Sequence, residues 1–165
     1  MMTASYVKYC TYILALVGTQ AIGSDKPMEP LPPAEITAVC EAKNWQAFEK
    51  YLNKLQSAPN TGQLADVARV YFCGTTKADA RLLRKHLPSR ITSTWTDPET
   101  NTTGITYKSR EDVSPLGGSA TDASINEQKG GISISFAQYE GCLGSIYLRN
   151  IAGRWLITDE SINCC

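Results

Sequence analysis

The last third of the chain, residues 131–165, decides the fold. Three short β-type runs follow one another there: GISISFAQ at 131–138, CLGSIYLRN at 142–150 and RWLITDESINCC at 154–165. In the second and third runs apolar and polar residues alternate, so each strand offers one face to a core. Ile151, Ala152 and Gly153 join them, and a glycine that ends a three-residue connection is typical of a hairpin with a bulge. The sequence therefore predicts an antiparallel hairpin.

The register of this hairpin brings cysteines together. If Asn150 lies opposite Arg154, Cys142 comes within about two residues of Cys164. A disulfide needs Cα atoms about 5–6 Å apart, which this register supplies. We predict a Cys142–Cys164 bridge, with Cys165 as the alternative partner of Cys142. The cysteine left over at the C-terminus is then a free thiol or a link between two chains of a homodimer.

The N-terminal residues 1–24 have the pattern of a cleaved export signal. Lys8 is their only charge, an apolar run follows at 10–17, and the small residues Ala21 and Gly23 have the spacing of a signal-peptidase site. The apolar run is shorter than the roughly 20 residues that span a bilayer. We expect a periplasmic or secreted protein, in a compartment where disulfides form.

A proline-rich lead-in at 25–33 precedes a single domain at 34–165. Four helices are predicted in its first half, from apolar stripes and capping residues. They begin at Pro33, at Asn44, at Thr61, and at a Thr76/Asp79 capping box, and Pro88 ends the last of them. Cys40 and Cys73 lie beside the apolar faces of the first and third helices. A Cys40–Cys73 disulfide is predicted, with two buried reduced cysteines as the alternative.

A second hairpin is predicted from the β-branched runs at 91–96 and 105–109. Together with the three C-terminal runs it makes about five strands. The fold class predicted from the sequence is therefore α+β, with about four helices packed on one face of an antiparallel sheet of about five strands.

Residues 111–130 hold few large apolar side chains and several glycines. We interpret them as an exposed, mobile loop without structure of its own, and long loops of this kind are commonly functional. The side chains that such a loop would offer to a partner are Asp112, Leu116, Asp122 and Glu127.

The sequence offers little catalytic chemistry. His86 is the only histidine, and its place near the end of a helix suits an interaction with the helix dipole. No metal site or cofactor motif is predicted. The acidic pairs Glu111–Asp112 and Asp159–Glu160 are interpreted as solvated charges, although only one member of the second pair could face a pocket. With 16 basic and 16 acidic residues, the chain is not expected to bind nucleic acid.

The segment YLRNIAGRWLITDESI, at Tyr147–Ile162, resembles the closing hairpin of NTF2-like domains. In that family a curved sheet and helices enclose a cone-shaped pocket, used for catalysis or only for binding. The resemblance implies a small-molecule carrier or hydrolase as one hypothesis. The aromatic residues that would line such a pocket are Trp95, Tyr107, Phe136, Tyr139 and Trp155.

In general make-up the chain resembles periplasmic immunity proteins that neutralise toxins delivered between bacteria. That resemblance implies a rigid scaffold that blocks the active site of an effector such as a cell-wall-degrading enzyme. The leading hypothesis is therefore a disulfide-braced protein-binding module that is not an enzyme. A secreted effector acting on a host is a further alternative.

Overall fold

The computed structural model describes residues 38–54, 61–97, 99–138 and 141–164. In this part of the chain three helices precede six strands. The helices are α1 (Ala42–Lys54), α2 (Thr61–Cys73) and α3 (Lys77–Arg84). The strands are β1 (Arg90–Thr96), β2 (Thr103–Ser109), β3 (Thr121–Gln128), β4 (Gly131–Ala137), β5 (Cys142–Ile151) and β6 (Arg154–Cys164). The predicted export signal and proline-rich lead-in lie outside the described residues, as do Tyr139 and Cys165.

The prediction of about four helices and an antiparallel sheet of about five strands is wrong in its counts. The described residues contain three helices and a six-stranded sheet in the order β2-β1-β6-β5-β4-β3. Val39 and Cys40, assigned to a first helix, lie in a turn. The sheet is mixed, because β1 pairs with β6 in parallel. The α+β class stands, with the helices before the strands in sequence.

The strand missing from the prediction is β3, in the segment interpreted as a mobile loop. Only Ala123 and Ile125 are buried along it, and the side chains between them are exposed. At the end of the sheet, β3 pairs with β4 alone. Two apolar residues on one face are enough for such an edge strand, whereas the sequence pattern favoured a loop because large apolar groups are scarce.

The turn between β5 and β6 is one residue shorter than predicted. Ile151 pairs with Arg154, so only Ala152 and Gly153 form the turn. Their φ angles are 52° and 79°, and a two-residue hairpin turn of type I′ requires positive φ at both positions.

A bulge at Thr158 shifts the register further along the same hairpin. Leu148 pairs with Ile157, whereas Tyr147 pairs with Asp159, so one extra residue stands in β6. As a result, the two cysteines near the open end of the hairpin lie directly opposite each other.

The core lies between the helices and one face of the sheet, which we call the inner face. Phe72 of α2 contacts Phe136 of β4 edge to face, with ring centroids 5.2 Å apart. Phe48 of α1 contacts Phe72 in the same way at 6.0 Å. These rings are almost fully buried, and edge-to-face pairs add stability beyond the area they bury. None of the helices in the described ranges is long and apolar enough to cross a membrane.

Helix α3 begins with the capping box that the sequence predicted. Thr76 accepts a hydrogen bond from the backbone of Asp79, and the Asp79 carboxylate accepts one from the backbone of Thr76. Hydrogen bonds from Thr76 and Thr75 hold the pKa of Asp79 below its usual value. Helix α1, by contrast, begins at Ala42, two residues before the predicted cap Asn44, whose side-chain amide donates to the carbonyl of Ala38.

Candidate functional site

A polar cluster lies on the inner face, where α2 passes over β6 and β2. Glu160 of β6 is 5% exposed and accepts two hydrogen bonds there. The Tyr71 hydroxyl of α2 donates to its Oε1 at 2.8 Å. Lys108 Nζ of β2 donates to its Oε2 at 2.8 Å and forms an ion pair with it. The strand register brings Lys108 close to Glu160. Ser93 of β1 pairs with Glu160 on one side and with Thr106 of β2 on the other. Lys108 lies two residues after Thr106 and therefore on the same face of β2.

The electrostatics of this cluster suit a structural link between a helix and two strands, which we call the brace. Burial, then the nearby charge of Glu160 and the hydrogen bond to it, raise the pKa of Tyr71 well above its usual value of 10. The phenol therefore stays protonated as a donor over the physiological range. Both carboxylate oxygens already accept a hydrogen bond, so the three side chains link α2, β2 and β6.

A raised tyrosine pKa makes stability depend on pH in the alkaline range. The unfolded phenol ionises near pH 10, whereas the folded one keeps its proton, so the stabilisation is complete below about pH 10 and is lost above it. We expect the free energy of unfolding to fall with pH above 10, and to fall less steeply in Tyr71→Phe. Chemical denaturation between pH 8 and 11 measures both slopes. An equal slope in the two proteins contradicts the prediction, and Tyr107→Phe, at an exposed tyrosine, is the matched control.

Sequence reasoning missed this cluster. It interpreted Asp159 and Glu160 as solvated charges, and for Glu160 that interpretation is wrong. The useful signal was the alternation along β6, which allows only one of the two to face inward. The identity of its partners came from α2 and β2, which are distant in sequence.

Of the five aromatic residues proposed to line a pocket, the four that the structure describes are not brought together. Phe136 and Trp155 are buried, at 2% and 8% exposure. Trp95 lies on the inner face over Gly104, where an added Cβ would come within 2.4 Å of its ring, and it is 42% exposed. Tyr107 is 63% exposed on the opposite face of the sheet, and Tyr139 lies outside the described residues.

The residues proposed as a partner-binding loop are also dispersed. Asp112 ends a short 3-10 helix, and Leu116 is half-buried against the core. Asp122 and Glu127 lie near opposite ends of β3, about 17 Å apart at the usual rise of a strand. They do not form one mobile loop.

Both predicted disulfides are present. Cys40 is bonded to Cys73, with their Cα atoms 5.5 Å apart. Cys142 is bonded to Cys164 and not to the alternative partner. The first bridge fastens the turn before α1 to the end of α2, and the second closes the open end of the β5–β6 hairpin.

His86 has a structural contact. Its Nδ1 is 3.1 Å from the carbonyl oxygen of Trp155, and its backbone carbonyl accepts a hydrogen bond from Ile157. The side chain thus joins the segment after α3 to the start of β6. Among the described residues, no group of three or more His, Cys, Asp or Glu side chains could hold a metal ion.

Exposed basic side chains gather where α3 ends and β6 begins. We call Arg81, Arg84, Lys85 and Arg154 the basic patch. Arg154 donates a hydrogen bond to the carbonyl of Lys85 at 2.6 Å, which joins the two elements. None of the four forms an ion pair with a described carboxylate. Leu82, 41% exposed, lies among them on α3.

The fold and its two disulfides define an α+β protein with helices on one face of a mixed sheet. No protein-family model matches the chain, and no curated protein matches it. Solved structures do match, and they include NTF2-like proteins, DUF4783 family proteins and a protein with a cystatin-like fold. The weak NTF2-like resemblance predicted from the sequence is therefore confirmed.

Three of these structures illustrate the likeness. An NTF2-like protein of unknown function from Shewanella baltica has 19% identity and a TM-score of 0.40, over 64% of this chain and 96% of its own. One from Methylobacillus flagellatus has 10% identity and a TM-score of 0.42, over 67% and 95%. A protein of unknown function with a cystatin-like fold from Nostoc punctiforme has 14% identity and a TM-score of 0.38, over 66% and 93%.

Proposed function

We propose that this protein is an exported, disulfide-braced module that binds another protein and inhibits it, as an immunity or inhibitor protein does. The partner is an effector such as a toxin or a cell-wall-degrading enzyme. On this proposal the protein itself is not an enzyme, and residues 1–24 direct it to the periplasm or the exterior.

The basic patch is the observation that carries the proposal. A chain with equal numbers of acidic and basic residues concentrates four cations on one exposed surface, and none of them pairs with a carboxylate in the described ranges. Cations near the end of α3 stabilise its dipole, and Arg154 of β6 adds a hydrogen bond to the carbonyl of the C-cap residue Lys85. These local roles leave all four side chains exposed. Uncompensated surface charge steers association with a partner of opposite sign.

The chemistry of the patch points to an acidic partner surface. Arginine is among the residues that contribute most to protein interfaces, and Leu82 adds an apolar contact. An active-site cleft that contains catalytic carboxylates, as in glycoside hydrolases, is a complementary target. Covering such a cleft would inhibit the effector.

The rigid frame supports the same role. The Tyr71–Glu160–Lys108 brace ties α2 to the sheet. Hydrogen bonds from Arg154 to Lys85 and from Ile157 to His86 join the end of α3 to β6, so the backbone beneath the patch is held in place before binding. A surface ordered in advance loses less conformational entropy when it binds.

The test uses charge reversal with a matched control. The purified, non-reduced protein is immobilised and exposed to the exported proteins of the same organism, and the retained protein is identified by mass spectrometry. Arg81→Glu/Arg84→Glu is expected to weaken its retention at least tenfold. Lys50→Glu/Arg69→Glu changes the net charge equally at exposed positions of α1 and α2 and is expected to retain it.

The retained protein is then assayed for its own activity with and without this chain. Inhibition that is lost in Arg81→Glu/Arg84→Glu supports the proposal. Equal retention by both double variants rejects the basic patch as the binding surface. A partner whose activity is unchanged by saturating amounts of this chain rejects the inhibitor function.

A further inference from the structure

The face of the sheet opposite the helices, the outer face, has an unusual composition. The strand registers align side chains in rows across all six strands. One row, in strand order from β2 to β3, is Tyr107, Thr92, Asp159, Tyr147, Ser133 and Asn126. No described helix packs on this side, since the helices cover the inner face.

The next row is almost entirely serine and threonine. In the same strand order it consists of Ile105, Thr94, Ser161, Ser145, Ser135 and Ser124. Hydroxyl-bearing side chains thus stand on five adjacent strands, about 4.8 Å apart, and the two rows are separated by about 7 Å along the strands. We call these two rows the hydroxyl face.

The hydroxyl face is nearly uncharged. Asp159 is the one charged residue of its twelve, whereas charged residues usually make up about 25–35% of a protein surface. An ordinary solvated sheet face would carry about three or four. Three charged residues, Arg90, Arg149 and Asp122, lie at its rim.

Several of the hydroxyl groups are free to bind a ligand. The side chains of Ser124, Ser135 and Ser145 have no hydrogen-bond partner among the described residues. Each hydroxyl can donate one hydrogen bond and accept two. Ser161 donates to the carbonyl of Thr94 and accepts from the side-chain amide of Asn163, so its hydroxyl keeps one free acceptor position.

Two tyrosine rings stand on this face, each held by an arginine. The Arg90 guanidinium lies 4.7 Å from the centre of the Tyr107 ring, and that of Arg149 lies 5.0 Å from the Tyr147 ring. Such cation–π contacts restrain the orientation of a ring. The tyrosines are three strands apart, or about 14 Å, with Thr92 and Asp159 between them.

A groove runs along the serine row, on the side away from the two tyrosines. Its volume is about 440 Å³, and its walls include Ser135, Ser145, Ser161, Asn163 and the 47% exposed Leu143. This size lies in the usual range of about 300–1,000 Å³ for ligand sites. Asp122, at the end of the groove, has a positive φ of 49°.

We propose that the hydroxyl face binds a neutral carbohydrate chain. A sugar presents hydroxyl groups at its edges, which match side chains that both donate and accept, and C–H groups on its ring faces, which pack on tyrosine rings. The absence of basic residues within the two rows makes a phosphate-bearing ligand a poor match. This proposal does not depend on the inhibitor function.

A second copy of the chain is a weaker candidate for this surface. Sheets that pack face to face interdigitate apolar side chains, and Ile105 is the one aliphatic residue in the two rows. The polar composition therefore favours a hydrated, hydroxyl-bearing ligand over another sheet.

The test measures binding of neutral hexasaccharides, namely cellohexaose, maltohexaose and N-acetylchitohexaose, to the purified non-reduced protein by calorimetry. Saturable binding of at least one is expected. Tyr107→Ala removes one ring and Ser145→Glu places a charge at the centre of the face, and each is expected to weaken binding at least tenfold. Leu82→Ser, at an exposed position on α3, is the control and is expected to bind normally.

Failure of all three hexasaccharides to bind overturns the proposal, and so does binding by Ser145→Glu at the strength of the unmodified chain. A dimer in light scattering that Ser145→Glu dissociates would assign the face to a second copy instead. Arg81→Glu/Arg84→Glu is expected to bind the sugar normally, so failure of the inhibitor proposal and failure of this one are distinguishable.

Discussion

Replacing both Cys40 and Cys73 by serine is expected to lower the free energy of unfolding by about 4 kcal/mol. The bridge joins residues separated by 33 positions, and a crosslink over a loop of that length greatly restricts the unfolded chain. The Cα atoms are 5.5 Å apart, within the ordinary range for a disulfide, so the bridge fits the folded backbone. Urea denaturation of the non-reduced proteins measures the difference.

The control is the corresponding Cys142→Ser/Cys164→Ser variant. Intact mass after thiol alkylation, without reductant, is expected to show that each double variant retains the other bridge. A Cys40→Ser/Cys73→Ser protein as stable as the unmodified one would contradict the prediction. Labelling of Cys40 or Cys73 in the unmodified, non-reduced protein would remove its basis and that of the export proposal.

Lys108→Met is expected to lower the free energy of unfolding by about 2–3 kcal/mol. The change leaves the buried carboxylate of Glu160 without its counter-ion, and breaking a buried ion pair on one side costs about 3–5 kcal/mol. We expect the smaller loss of about 2–3 kcal/mol because the Lys108 side chain is 37% exposed. Water already screens this ion pair and partly solvates the Glu160 carboxylate when the lysine is removed.

The double variant Lys108→Met/Glu160→Gln separates lost charge pairing from lost packing. A neutral glutamine needs no counter-ion and still offers Tyr71 an oxygen acceptor, so the double variant is expected to be more stable than Lys108→Met alone. Denaturation at pH 7 compares them, with Lys50→Met, on the exposed side of α1, as control. A double variant less stable than the single one would show that the ion pair is not what Lys108 contributes.

The basic patch and the hydroxyl face are different surfaces. The patch is formed by α3 and the start of β6, and the hydroxyl face by side chains on the outer side of all six strands. On the two proposals together, the protein is held on a carbohydrate polymer while it binds an effector that acts there. The charge-reversal and sugar-binding experiments examine the two surfaces separately.

The parts of the fold that depend on neighbouring residues were predictable. The capping box of α3 and the β5–β6 hairpin follow from residues a few positions apart, and so does the closeness of Cys142 and Cys164. The exact register was not predictable, because the bulge at Thr158 leaves no mark in the alternation of apolar residues. Strand β3 was missed because one partner strand stabilises it, rather than its own composition.

The sites were less predictable than the fold. The hypothesis of an aromatic pocket assumed that all five rings face one cavity, yet Tyr107 and Phe136 lie on opposite faces of the sheet. Glu160 finds Tyr71 at a sequence distance of 89 residues, which no local pattern reports.

By itself, the sequence determined the α+β class, the strands of the closing hairpin and the closeness of Cys142 to Cys164, because these follow from periodicity, turn residues and cysteine spacing over short stretches. It left Cys165 as an alternative partner of Cys142 and two reduced cysteines as the alternative to a Cys40–Cys73 bridge, and the structure decided both. Only the tertiary structure decided that β1 lies beside β6, and this parallel pairing joins the two halves of the sheet. That contact aligns Thr92 with Asp159 and Ser93 with Glu160. It thereby creates the hydroxyl face on one side and the buried brace on the other, because the side chains of paired residues share a face.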